Sequence, residues 1–130
     1  MHLKYQYNVK ESITLAHDLK KLTIDEHHKM ITFDIKDLYV NIPIKDTIKI
    51  TEDMLSEHNN ELITQQITIL LKTTLEQNYF TFLDKLYQPE KGVSMGSPLS
   101  NTIAEIFLQH LEQIYLKQLL DANTIIFYTR

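Results

Sequence analysis

The spacing of hydrophobic residues predicts four amphipathic helices. Apolar side chains recur three or four positions apart over residues 11–22, over residues 44 to about 58, and over residues 61–76. Residues 98 to about 120 predict a longer helix with Pro98 in its first turn. The predicted inner faces are, in order, Ile13, Ala16, Leu19 and Leu22; Ile44, Ile48, Thr51 and Leu55; Ile63, Ile67, Leu70, Leu71 and Thr74; and Leu99, Ile103, Phe107, Leu111 and Ile114.

Shorter runs rich in β-branched and aromatic residues predict strands. One run covers residues 30–34 and another covers residues 124–128. Between them, residues 79–82 and 85–87 read as a hairpin whose tight turn is Leu83-Asp84. The order of elements predicts an α+β fold, with helices packed on one face of an antiparallel sheet.

Composition narrows the class of protein. With 130 residues, the chain is one small domain or part of a larger protein, and 43% hydrophobic residues are enough for a core. A net charge of -4 argues against a free-standing nucleic-acid-binding protein, and the lack of cysteine excludes disulfides and thiolate metal sites.

The first ten residues carry little signal and are expected to be a frayed start. Without a signal-peptide pattern or a membrane-spanning run, we expect an intracellular protein of the nucleus or cytoplasm, neither secreted nor bound to a membrane.

The first candidate for chemistry is Asp34, which stands at the end of the predicted strand 30–34. A carboxylate held at a strand end can bind a divalent metal, because Mg²⁺ prefers oxygen ligands and often uses only one or two carboxylates. The alternative is that Asp34 simply forms the turn after the strand, where aspartate is common.

The second candidate is the segment that contains both glycines of the chain, Gly92 and Gly96. We call residues 89–98 the glycine loop. Because the loop precedes a predicted helix, its backbone N–H groups could bind an anion, although it matches neither a phosphate-binding nor a dinucleotide-binding motif. Alternatively, Ser97 or Ser100 simply caps the helix. Ser94 and Ser97 could also be nucleophiles, but the sequence pairs them with no particular histidine and carboxylate.

Two long motifs carry a resemblance to a known family. Residues 33–43 read Phe-Asp-Ile-Lys-Asp-Leu-Tyr-Val-Asn-Ile-Pro, and residues 91–100 read Lys-Gly-Val-Ser-Met-Gly-Ser-Pro-Leu-Ser, preceded by the hairpin. The first resembles the first catalytic motif of reverse transcriptases, and the second resembles their glycine-containing motif, in the form found in Penelope-like retroelements. Two departures are Met95, where many such enzymes have glutamine, and Asn101, where proline is common.

The resemblance implies a polymerase palm-like fold and an RNA-directed DNA polymerase that uses two Mg²⁺ ions, or Mn²⁺. The implied partners are an RNA template, a DNA primer and a deoxynucleoside triphosphate. Asp34 would be the catalytic metal ligand together with the carbonyl of Ile35, and Tyr39 would be a steric gate against the ribose 2′-hydroxyl. The implied nucleotide-binding residues are Tyr39, Met95 and Gly96, and the implied template- and primer-binding residues are Gly92, Ser94, Ser97 and Pro98.

The last six residues of the sequence, 125–130, are similar to the strand that leads into the Tyr-x-Asp-Asp hairpin of these enzymes. The expectation is therefore a fingers and palm fragment, residues 1–130, that lacks a thumb and does not polymerise DNA alone. The resemblance requires Asp34, the end of the last strand and the glycine loop to border one hollow. Two alternatives remain: a non-catalytic module that binds RNA or protein, and an unrelated α+β domain.

Overall fold

The computed structural model describes residues 7–130 and has a mixed α and β structure. Among these residues, the only sheet is the antiparallel pair of strands β1 and β2. No helix in residues 7–130 is long and apolar enough to cross a membrane. The elements in chain order are α1 (Ser12–Leu19), α2 (Leu38–Asn41), α3 (Ile44–Ser56), α4 (Glu61–Glu76), β1 (Phe80–Phe82), β2 (Lys85–Tyr87), α5 (Ser100–Leu111), a π-helical turn (Glu112–Leu116) and α6 (Lys117–Asp121).

The hairpin and the two middle helices confirm the predictions from the sequence. Helix α4 begins after Asn60, whose side chain accepts a hydrogen bond from the backbone N–H of Ile63. In the hairpin, Phe80 pairs with Tyr87 and Phe82 pairs with Lys85. The two turn residues both have positive φ, as a two-residue turn between twisted strands requires.

The long helix is also present, with one change in its hydrogen bonding. Helical backbone runs without a break from Ser100 through α5, the π-helical turn and α6. Pro98 lies two residues before the helix and not in its first turn. The π-helical turn was not predicted from the sequence; it shifts the backbone hydrogen bonds of this turn from four to five residues apart.

One cluster of buried side chains joins the segments that carry the two motifs. Its buried members are Ile42, Leu75, Val93, Ile103 and Ala104. These residues come from the segment after α2, from α4, from the glycine loop and from α5. The core therefore fixes the first motif against the second, and Tyr39 and Phe107 pack against its edge.

The predicted strands 30–34 and 124–128 are wrong as regular strands, because neither forms a ladder within the part of the chain that the structure describes. Met30 is 88% exposed and Ile31 is 77% exposed, so the first segment is not the buried strand that was expected. A strand needs a neighbour for its backbone N–H and C=O groups, and the only described pairing joins β1 to β2. The helices pack against one another and not on a sheet face: α3 contacts both α4 and α5.

Two predicted helix faces are also wrong, and a third, on the long helix, is wrong at Ile114, which is 38% exposed. Helix α4 buries Thr64 and Leu75, whereas Leu70, predicted to face inward, is 68% exposed. Helix α1 buries none of its residues, and Ile13 is 81% exposed. The buried residues of α3, which packs against both α4 and α5, are Thr47, Thr51 and Leu55.

The first ten residues were expected to be a frayed start. Residues 1–6 lie outside the described part of the chain. The following residues are bonded to the end of the chain. The backbone N–H of Arg130 donates to the carbonyl of Tyr7, and the N–H of Val9 donates to the carbonyl of Arg130, both at 2.8 Å. The last residue and the N-terminal segment are therefore joined by two backbone hydrogen bonds.

We predict that Ile103→Ala lowers the free energy of unfolding by about 2–5 kcal/mol, because Ile103 is 1% exposed at the centre of the core and its truncation leaves a cavity. Urea denaturation measures the loss. The matched control is Ile13→Ala on exposed α1, for which we expect a change of less than about 0.5 kcal/mol. Equal losses in the two variants would contradict the described core.

Candidate functional site

Asp34 lies on an exposed, extended segment that is attached on both sides. Before it, the ring of Phe33 stacks on the ring of Tyr128, with centroids 6.5 Å apart and planes 23° apart. After it, the backbone turns at Asp37, which has φ 53, and enters the short helix α2. The predicted metal ligand is thus held between a contact to the last segment of the chain and the core-packed helix α2.

Tyr39 and the glycine loop meet through the backbone. The N–H of Val93 donates to the carbonyl of Tyr39 at 2.8 Å. Gly92, with φ +78, lies so close that a Cβ at this position would be 2.6 Å from the same carbonyl oxygen and would also collide with the carbonyl of Val40. Only glycine fits this backbone conformation and this approach. The two motifs, more than fifty residues apart in the sequence, therefore cross in direct contact.

Two side-chain hydrogen bonds lie beside this crossing. The hydroxyl of Tyr39 donates to the amide oxygen of Asn101 at 2.6 Å. The ammonium group of Lys91 donates to the amide oxygen of Asn41 at 2.9 Å. Asn41 in turn donates to the backbone carbonyl of Asp37, which ties its side chain to the start of α2. Helix α2 is consequently bound to both ends of the second motif.

The rest of the glycine loop makes local hydrogen bonds at the start of α5. The hydroxyl of Ser97 accepts from the N–H of Leu99, and the hydroxyl of Ser100 donates to the carbonyl of Ser94. Met95 is 74% exposed and Gly96, with φ +103, has open space where a Cβ would stand. Pro98 is exposed between them and the helix. Met95 and Gly96 therefore leave an open surface. The serines form hydrogen bonds within the loop, but neither is the cap that was expected, because the N-cap residue of α5 is Leu99 and no side chain caps it.

A metal ion could use only part of a ligand set from these residues. Asp34 is exposed and Ile35 is 43% exposed, so the carboxylate and the neighbouring carbonyl lie at the surface. Within residues 7–130, no three histidine, cysteine, aspartate or glutamate side chains come together in a way that could hold a metal. One carboxylate with water and substrate phosphates is compatible with Mg²⁺, which keeps several water ligands.

A partly buried ion cluster holds the end of the chain near this site. The guanidinium of Arg130 donates to Glu105 at 2.8 and 2.9 Å and to Glu112 at 2.8 Å. Tyr128, the residue that stacks on Phe33, donates its hydroxyl to Glu112 at 3.1 Å. Asn8 and Gln109 also donate to Glu105.

The cluster shifts the pKa of its members in the directions that its hydrogen bonds dictate. The Arg130 guanidinium is the largest cause that holds the pKa of the Glu105 carboxyl below its ordinary value. Burial, followed by the negative charge of Glu112, raises the pKa of the Tyr128 phenol. Glu105 therefore carries a charge that the fold stabilises.

The structure brings Tyr39, Gly92 and Val93 together. It also fixes the residues on both sides of Asp34, through the stacking of Phe33 on Tyr128 and through helix α2. Sequence reasoning missed Lys91, Asn41 and the partners of Arg130. Two signals were available: Arg130 is the only arginine in the chain, and Glu105 and Glu112 are seven residues apart and thus on one side of a helix. No such signal pointed to the contact of Asn101 with Tyr39, because it depends on the crossing of distant segments.

In comparisons with known proteins, the chain matches no protein-family model, no curated protein and no solved structure.

We predict that Gly92→Ala destabilises the protein more than Gly96→Ala. Positive φ costs a non-glycine residue about 1–3 kcal/mol at both positions. At Gly92 the collision with the carbonyls of Tyr39 and Val40 adds about 1–3 kcal/mol, whereas Gly96 faces open space. Chemical denaturation of both variants gives the difference directly. Equal destabilisation would contradict the close crossing.

We also predict that Glu105 makes stability depend on acid pH. Because its folded pKa lies below its unfolded value, its stabilisation is complete above the unfolded pKa of about 4.3 and is lost as the pH falls through the folded value. Glu105→Gln should lower the free energy of unfolding by about 1.5–3 kcal/mol at pH 7 and flatten its fall as the pH drops below about 4.3.

The measurement for Glu105 is urea denaturation at a series of pH values. Exposed Glu57→Gln is the control, which we expect to keep both the stability and the pH profile of the unchanged chain. A Glu105→Gln variant with the same acid sensitivity as the unchanged chain would show that the contact with Arg130 does not stabilise the fold.

Proposed function

We propose that this chain is the palm portion of an RNA-directed DNA polymerase of the Penelope-like type, with a palm-like fold built around the crossing of its two motifs. In this proposal, Asp34 and the carbonyl of Ile35 contribute ligands for Mg²⁺. The substrates are a deoxynucleoside triphosphate, an RNA template and the 3′-hydroxyl of a DNA primer. Water and the substrate phosphates would supply further ligands.

The observation that carries the proposal is the backbone contact between the two motifs that resemble the family. The hydrogen bond from Val93 to Tyr39 and the tight approach of Gly92 place the residue proposed as the steric gate against the loop proposed to bind the nucleotide. An accidental match of the two motifs would give no reason for them to meet. The stacking of Phe33 on Tyr128 adds support, because it brings the last segment next to the residue that precedes Asp34.

Each residue has a role that its position allows. Bound metal would activate the primer hydroxyl and neutralise charge on the leaving pyrophosphate. The ring of Tyr39 would occupy the space that a ribose 2′-hydroxyl needs. Exposed Met95 and Gly96 would leave room for the base pair that forms. Ser94, Ser97 and Pro98 would present backbone to the template and primer. Gly92, which is buried against the carbonyls of Tyr39 and Val40, would hold the loop in place for that contact and would not face the nucleic acid itself.

The hairpin favours a second candidate, a non-catalytic module that binds RNA. Phe80, Phe82 and Tyr87 are all exposed on one face of the hairpin, and the rings of Phe80 and Tyr87 stack with centroids 5.6 Å apart. Lys85 lies on the same face, opposite Phe82. Exposed aromatic rings beside a cation are a common surface for unpaired bases. Salt-dependent RNA binding that persists when Asp34 is replaced would favour this candidate.

The proposal predicts a metal site at Asp34. Because Mn²⁺ is paramagnetic and substitutes for Mg²⁺ at oxygen ligands, we expect it to broaden the nuclear magnetic resonance signals around Asp34 and Ile35 first. Asp34→Asn should remove that broadening. Asp84→Asn in the exposed hairpin turn is the control, since asparagine tolerates the positive φ there. Broadening that survives in Asp34→Asn, or that centres elsewhere, would contradict the metal site.

The same variant tests the reaction. In the open reading frame that contains this chain, we expect primer extension to fall at least about 100-fold in Asp34→Asn, because even second-shell changes at metal sites lower activity 10- to 100-fold. Asp84→Asn should leave it unchanged. Extension that does not depend on Asp34 would rule out this catalytic role.

A further inference from the structure

We propose that Asn101 is a positioning residue for Tyr39 and thereby sets how strongly the site prefers deoxynucleotides to ribonucleotides. The inference rests on the function proposed above. It follows from the hydrogen bond between the Tyr39 hydroxyl and the Asn101 amide oxygen, which joins residues sixty-two positions apart. The resemblance does not supply this bond, because the family's common proline at this position has no side-chain acceptor.

Tyr39 is fixed both through its backbone and through its side-chain hydroxyl. Its backbone carbonyl accepts from Val93, and the side chain is half-buried against the core. A tyrosine side chain turns about two torsions, so a fixed backbone alone leaves several ring positions open. Fixing the hydroxyl as well selects one ring position. A steric gate works only when its ring stays in the space from which it excludes a 2′-hydroxyl.

Asn101 is a firm partner because its own helix is well anchored. It is the second residue of α5, between buried Ser100 and the first buried core residue of that helix, Ile103. The hydroxyl of Ser100 is bonded to the carbonyl of Ser94 in the glycine loop. The acceptor for Tyr39 is thus attached to the same loop that Tyr39 contacts through its backbone. Tyr39, the loop and α5 form one closed set of hydrogen bonds.

A purely structural bond would behave differently. If the bond only attached α2 to α5, its loss would weaken the fold and reduce the binding of every nucleotide alike. If it positions the ring, its loss changes the ratio of the affinities for the two kinds of sugar. The ratio therefore separates the two roles.

The experiment titrates the product of the open reading frame that contains this chain with dGTP and with GTP, each with Mg²⁺, and measures the two dissociation constants by calorimetry. We expect the unchanged chain to bind dGTP more tightly. Asn101→Ala should reduce the ratio of the two dissociation constants by about 3- to 10-fold, which corresponds to the loss of one hydrogen bond. Asn101→Asp keeps an acceptor oxygen at the same place and should retain the ratio.

Tyr39→Phe removes the other partner and keeps the ring. It should reduce the ratio as Asn101→Ala does, and the double variant should lose no more than either single variant. Urea denaturation of each variant checks that it is folded. If Asn101→Ala does not fold, the comparison of Tyr39→Phe with the unchanged chain carries the test.

Two results would overturn the inference, and they are distinguishable. Nucleotide binding with the same ratio in the unchanged chain, Asn101→Ala and Tyr39→Phe would refute positioning by Asn101 and leave the proposed polymerase function standing. Failure of the unchanged chain to bind either nucleotide would count against the proposed function itself, and the inference would fall with it.

Discussion

The close crossing of Gly92 and Val93 over the backbone of Tyr39 and Val40 is the constraint on which the candidate site depends. The hydrogen bond at this crossing has a length of 2.8 Å, and no Cβ fits at Gly92. Val93, the next residue, is buried in the core with Ile42, which lies just after α2. Because Gly92 has no side chain, the two motifs can approach closely enough to share a hydrogen bond and to pack into the same core.

The end of the chain is positioned by electrostatics and not by a sheet. Arg130 bridges two partly or fully buried carboxylates, Glu105 and Glu112, and the π-helical turn begins at Glu112. A buried charge is tolerated only with such partners, since leaving one member unpaired is costly. Because Tyr128 contacts both Glu112 and Phe33, this cluster on the long helix also locates the segment that contains Asp34.

Apolar surface outside the core is the other notable property of the molecule. The segment before Asp34 and the outer side of α4 expose large aliphatic residues, while the α3 and α4 interface is lined by threonines. Within the described part of the chain, the hydroxyls of Thr64 and Thr68 are buried without a hydrogen-bond partner. Small residues permit two helices to approach closely. They bury less apolar area than the isoleucines and leucines that remain exposed, so hydrophobic burial stabilises this fold less than it would if those residues were in the core.

Local signals in the sequence determined α1, α3, α4, the long helix, the hairpin and the glycine loop, whereas the four-residue helix α2 and the π-helical turn were not predicted. Helix periodicity, the cap at Asn60 and the turn at Leu83-Asp84 act over a few residues, so they can be recognised without knowing the fold. The two motifs also identified Asp34, Tyr39 and the loop as candidates. The resemblance implied that the two motifs lie together in the fold, but the spacing of residues in the sequence did not predict their contact.

Tertiary structure alone decided which faces are buried and which distant residues meet. The strand at residues 30–34 failed because pairing depends on a neighbour, and α4 buries Thr64 and Leu75 and not the face predicted from its periodicity. No local sequence pattern predicts that Asn101 contacts Tyr39, or that Arg130 contacts Glu105 and Glu112. Each pair is separated by many residues, and its energy depends on the distance between side chains in space, which only the packing of the whole chain sets.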